Sequence, residues 1–239
     1  MIFLFAFIAS VAFFIQAALG FGGGLVSIPV LSLFMPVHEA VSYIMAFQFL
    51  IGLTLFKVYR DVDWSVIRFL LPGTVAGALV GMGLLAYLPQ NAVQLFLAIF
   101  ILLYLAQERL GVQWLKNLVA RLGSFVSGFL GGMIAGLIGM GAPIYVLYFK
   151  ARGMRTASLR ANLVLILFLA NVVRFPVALS TSLMPVHIVM LVIYTLPFFM
   201  FAMWLGVKTH DRLPDVLFRR TVDGALLLSS VSLIAKALF

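Results

Sequence analysis

The sequence predicts an all-α polytopic membrane protein of about eight hydrophobic helices, arranged as two inverted four-segment repeats that each open with a broken or re-entrant, glycine-rich hairpin. Three observations predict it. Apolar residues make up 64% of the 239-residue chain and charged residues 10%, with a mean hydropathy of +1.20, against roughly 45–50% and 25% in soluble domains. Two glycine clusters, Gly20-Phe-Gly-Gly-Gly24 and Gly139-Met-Gly-Ala-Pro143, stand 119 residues apart, each followed by an apolar run too short to span a bilayer. Fourteen of the 16 Lys and Arg gather in four places, leaving the intervening connections without any.

Apolar runs bounded by charge clusters, Pro or Gly fall near 1–19, 25–35, 38–58, 65–88, 91–106, 118–138, 143–150, 157–179, 185–206 and 220–238. The run from Met1 has no basic n-region and no small-residue cleavage site before the glycines, so it reads as a retained helix and not a signal peptide. At 1.5 Å per residue, 25–35 and 143–150 give helices of about 16 and 12 Å, against a hydrocarbon core of about 30 Å. These two are expected to be half-helices, each starting at its glycine cluster. The other long runs suffice to cross.

The 119-residue offset also lays Ala40-Val-Ser-Tyr43 on Leu159-Arg-Ala-Asn162, which predicts a duplicated unit. Its copies are 1–108 (hairpin 1–35, spans 38–58, 65–88 and 91–106) and 109–239 (hairpin 118–150, spans 157–179, 185–206 and 220–238). The basic clusters are Lys57, Arg60 and Arg68; Arg109, Lys116 and Arg121; Lys150, Arg152, Arg155 and Arg160; and Lys208, Arg212, Arg219 and Arg220. Placing all four in the cytoplasm makes every span alternate correctly and leaves each hairpin opening and closing on one side. Three crossings per copy invert the second copy and put both termini outside. Inverted repeats with broken helices at the midplane are a recurring design of secondary transporters.

Non-helical backbone inside hydrocarbon is tolerated only where it is buried or lines a polar cavity, which makes the hairpin tips candidate site walls. Gly22, Gly23 and Gly24 permit a tight turn and close approach. Pro143, after Gly139, Gly141 and Ala142, fits the first position of its half-helix. Two helix N-termini, with free N–H groups and positive dipole ends, are expected to face one anion. Arg174 is the only charge deep in an apolar segment, one helical turn after Asn171, and such a charge is a functional candidate by default. Snorkelling to the headgroups is its alternative. Gln16, Gln48, Ser42, Tyr43 and Asn162 complete the candidate substrate-binding set, and interhelical hydrogen bonding is the alternative for each. The glycines at 73, 77, 81 and 83, and at 128, 131, 132 and 136, recur at spacings near four and read as packing surfaces.

The acidic residues all lie in loops or near helix ends. Proton relays in pumps use intramembrane carboxylates, so their absence here favours a facilitated or potential-driven anion path. One negative charge leaving a cell at 100 mV, inside negative, releases about 2.3 kcal/mol, a bias toward export. With no cysteine and three scattered histidines, His38, His187 and His210, no metal or other cofactor is expected. Neither a catalytic pair nor a metal motif for an intramembrane enzyme is present. The net charge of +9 is taken up by cytoplasmic loops, so the expected partners are a small anionic solute and the lipid bilayer, with no nucleic acid.

The run Gly20-Phe-Gly-Gly-Gly-Leu-Val-Ser-Ile-Pro-Val-Leu31, then Ala40, then Gly139-Met-Gly-Ala-Pro143 before Arg160-Ala-Asn162, resembles the sulfite exporter TauE/SafE family over essentially the whole chain. The resemblance implies a prokaryotic inner-membrane transporter for sulfite, sulfoacetate or other sulfur-containing or organic anions, with the glycine motifs at Gly20, Gly22, Gly23, Gly24, Gly139 and Gly141. Ala142 stands where many relatives carry glycine, adding a methyl group at the tip. An anion channel, or a passive subunit of a larger assembly, is the alternative.

Overall fold

The computed structural model of the chain describes residues 2–19, 22–54, 60–110, 121–181, 183–209 and 215–238. These form ten helices, with no strand among the described residues. They are α1 Ile2–Leu19, α2 Gly23–Leu31, α3 Val37–Thr54, α4 Trp64–Tyr87, α5 Gln90–Leu110, α6 Gly123–Ile138, α7 Ala142–Ala151, α8 Thr156–Ser180, α9 Val186–Thr209 and α10 Asp215–Leu238. The outer ends of two expected runs, 55–58 and 118–120, lie outside the described residues, as does Gly20. The two short helices are 9 and 10 residues long, about 14 and 15 Å, roughly half a hydrocarbon core.

By length and composition, four helices can cross a membrane: Trp64–Tyr87, Gln90–Gln107, Thr156–Ser180 and Val186–Gly206. Only 33–44% of each apolar window is buried within the chain, and Phe69, Leu103, Phe198 and Phe201 point outward. Apolar surface on that scale needs lipid as its solvent. Shorter apolar stretches lie at Ile2–Ala17, Val37–Leu53, Gly123–Ile138 and Leu226–Ala237.

The helices gather into two compact units, each drawing on both halves of the sequence. One comprises Met1–Phe47, Leu88–Ala106 and Leu183–Phe239, the other Gln48–Tyr87 and Gln107–Ser182.

In the first unit α1 lies along α9, and α2 folds back against α1 and α10. α1 and α9 run parallel: the Phe13 ring meets Phe199 edge-on at 5.1 Å, and further along both helices a Cβ at Gly206 would sit 2.6 Å from Phe14 O. At one end of this unit, Glu39 at the start of α3 lies 3.2 Å from His187 at the start of α9. The Lys236 ammonium donates to the carbonyls of Ser32 and Leu33 just past α2, supplying positive charge where a helix leaves its last carbonyls unpaired.

In the second unit α4 and α6 pack backbone to backbone. A Cβ added at Gly73, Gly77 or Gly81 would stand 2.0–2.2 Å from the carbonyl oxygens of Phe125, Phe129 and Met133. One at Gly128, Gly132 or Gly136 would stand 2.2–2.5 Å from those of Leu70, Thr74 and Ala78. Numbering rises together on both helices, so they run parallel, and small-residue spacing of four allows this approach without lipid-excluding side chains. The packing reading of these six glycines matches what the backbone does.

The starts of α4, α6 and α8 share one end of this unit. Asp63 caps α4, its carboxylate accepting from the amide and hydroxyl of Ser65, while its own N–H donates to Asn162 Oδ1 on α8 at 3.1 Å. The hydroxyls of Ser124, at the start of α6, and Tyr148, near the end of α7, are 2.7 Å apart. Arg152 donates to Ser124 Oγ and lies 5.3 Å over the Tyr148 ring. The first turn of α6 and the last of α7 are thus tied together.

Candidate functional site

Each hairpin tip is a helix break built from glycine. In the first unit Gly22 caps α2 with φ +106°, a left-handed conformation costly for any residue with a Cβ. Gly23 begins the helix hard against α1: a Cβ there would fall 2.2 Å from Gln16 Oε1 and 3.1 Å from Phe13. Gly23 and Gly24 are both buried. Phe13, Phe47 and Phe199 pack as an aromatic group behind this tip, with Tyr43 edge-on to Phe47 at 5.2 Å. Gln16 and Gly22–Gly24 are therefore brought together, and Tyr43 stands behind them through the rings.

In the second unit Gly139 ends α6 at φ +72°, its N–H bonded to Ala135 O. Gly141 precedes α7, and a Cβ on it would meet Gly131 O at 2.5 Å and Ala135 Cβ at 2.8 Å. Helix α7 opens at Ala142, so Pro143 occupies its second position and not the first; either site suits a residue without an N–H, since the first-turn donors have no partner within the helix. Both half-helices start on glycine, with no side-chain capping bond at Gly22 or Gly141.

Arg174 on α8 is 2% exposed. It does not snorkel out of the fold. Its Nη1 donates to Asn171 Oδ1 at 2.8 Å, whereas Nε is buried with no acceptor. Tyr145, one turn into α7, is wholly buried. The tyrosine is positioned by its ring, which lies on Gly131, and by its hydroxyl, which donates to Thr74 Oγ1 at 3.1 Å. Helices α4, α6, α7 and α8 contain no Asp or Glu. Asp61 and Asp63 of this unit belong to the end where Asp63 meets Asn162, and Asn162 lies 12 residues before Arg174, about 18 Å along α8.

The remaining candidates are committed elsewhere or stand apart. Ser42 Oγ donates to Leu183 O at 2.6 Å, and the Tyr43 and Thr195 hydroxyls share a bond of 2.7 Å. The Asn162 amide donates to Ser158 and accepts from Asp63, which places it at the α4 entrance. Gln48 is half-buried on α3. Thr74, which orients Tyr145, carries no signal in a glycine-rich helix, and neither does Gln94, whose buried amide nitrogen lacks an acceptor among the described residues.

Ten described helices, two of them half-length and opening at glycine tips, with outward-facing apolar spans, define a multi-pass membrane protein. The family model for sulfite exporter TauE/SafE matches residues 4–233. The chain belongs to that family, whose members are membrane transporters and not enzymes. Among curated proteins and among solved structures, none matches the chain.

Proposed function

We propose that this protein exports a small anion, sulfite or another sulfur-containing or organic anion, across a prokaryotic inner membrane, with the glycine tips of α2 and α7 and the Arg174 side chain as its candidate substrate-binding groups. The observation that carries the anion is Arg174 itself: an arginine stays charged, and a buried charge is costly without a partner, yet among the described residues no carboxylate pairs with it. Uncapped half-helix starts favour negative charge as well. The substrate class follows the family, and the outward direction follows the membrane potential.

The transport path is proposed to lie in an inverted duplication of 1–108 and 109–239, with both termini outside. Two kinds of packing support it. In each unit the first helix of a hairpin runs parallel to the long second span of the other sequence half, α1 with α9 and α6 with α4. Arg152 joins the starting end of α6 to the finishing end of α7, as a hairpin entering and leaving on one basic face requires.

Flux into liposomes holding the purified protein tests this, with sulfite, sulfate, a sulfonate and a carboxylate as substrates and Gly23→Leu as the control. Saturable flux of an anion with counterflow, lost in a folded Gly23→Leu protein, is the expected result. Equal flux in the variant moves the path away from the first tip, non-saturating flux makes the protein a channel, and no anion flux overturns the proposal.

A further inference from the structure

On the footing of the anion-transport reading above, the surroundings of Arg174 define the charge and shape of what binds. Guanidinium donors come as parallel pairs, and one N–H of Nη1 is taken by Asn171. The edge that remains carries Nε, buried and without an acceptor. Paired with Nη2, it is a fork that matches two oxygens of a carboxylate-like or sulfonate-like group. A spherical halide cannot occupy both prongs equally well.

Charge is limited in the same way. The guanidinium supplies one positive charge, its hydrogen-bond partner Asn171 is neutral and buried, and no Asp or Glu occurs in α4, α6, α7 or α8. One negative charge is neutralised by this set, whereas a second is left in excess inside a medium that penalises uncompensated charge. We infer that the buried Nε edge of Arg174 selects a singly charged oxyanion, a sulfonate, a carboxylate or hydrogen sulfite, over the sulfate dianion and over chloride.

Binding and liposome counterflow with methanesulfonate, sulfate and chloride test this in the wild-type protein, in Arg174→Lys and in Arg174→Gln, with the size-exclusion profile reporting folding. Methanesulfonate is expected to bind at least about tenfold more tightly than sulfate or chloride, a difference of about 1.4 kcal/mol. Arg174→Lys keeps the charge and loses the fork, so it is expected to weaken methanesulfonate about tenfold and to erase its advantage over chloride. Sulfite is expected to bind more tightly as the pH is lowered through neutrality and the singly charged form takes over.

Sulfate bound as tightly as methanesulfonate overturns the charge selection, and an unchanged Arg174→Lys overturns the fork. Wild-type binding in Arg174→Gln removes the site from Arg174 while leaving anion transport standing. A wild-type protein that moves no anion overturns both. If Arg174→Gln fails to fold, the wild-type selectivity series and Arg174→Lys still decide.

Discussion

A single residue at the entrance to α4, Asp63, couples two helices through its carboxylate and its backbone amide. The hydrogen bond from Ser65 holds the Asp63 carboxyl below its usual range, assisted by the Ser65 and Val66 amides and the Arg152 charge. A carboxylate whose folded pKa is depressed stabilises the fold above its unfolded pKa, and that contribution disappears as the pH falls through the folded value. Asp63→Asn keeps a capping oxygen but loses the titration. In detergent, the thermal midpoint of the wild type is therefore expected to exceed that of Asp63→Asn at neutral pH, and the gap to close in acid. A gap independent of pH would show that the charge of Asp63 contributes nothing. Arg174 was legible at this scale because one cation in an apolar run has no soluble explanation. The bond between Asn162 and Asp63, and that between Tyr43 and Thr195, join residues 99 and 152 positions apart, and no local pattern announces such a pair.

Helix breaks were legible because they change lengths: a helix of nine or ten residues opening at a glycine cluster is too short to cross. Glycine spacing showed which faces pack, but not which helix lies opposite, since α4 and α6 are far apart in the chain and either could have met another small-residue face. The zipper between them makes a sharp contrast between glycines. Gly77 has Phe129 O at 2.0 Å from the place a Cβ would take, and Gly83 has nothing within 4 Å. Gly77→Ala is expected to cost about 1–3 kcal/mol by forcing two backbones apart, while Gly83→Ala is expected to be neutral or to gain up to about 1 kcal/mol in helix propensity. Thermal unfolding of the two purified variants measures this directly; equal midpoints would mean that the α4–α6 approach carries no stability.

For the molecule as a whole, the cysteine-free sequence makes orientation measurable without background. Cysteines placed one at a time at Tyr87 and Val186, which are 91% and 73% exposed, are expected to react with a membrane-impermeant maleimide added to intact cells stripped of their outer barrier. One at Arg155 is expected to react only after permeabilisation; the reverse pattern would invert the topology. Charge placement gives an expectation of sidedness that this labelling tests, whereas the interleaving of units could not be read, because periodicity says which face is apolar and not what covers it. That interleaving bears on how the protein is made. Helix α1 settles against α9, which enters the chain about 165 residues later, and at 5–20 residues per second the ribosome takes roughly 10–30 s to supply it. During that interval α1 of the newborn hairpin can meet α3 through Phe13 and Phe47, while its α9-facing side is left to lipid until the last quarter of the protein arrives.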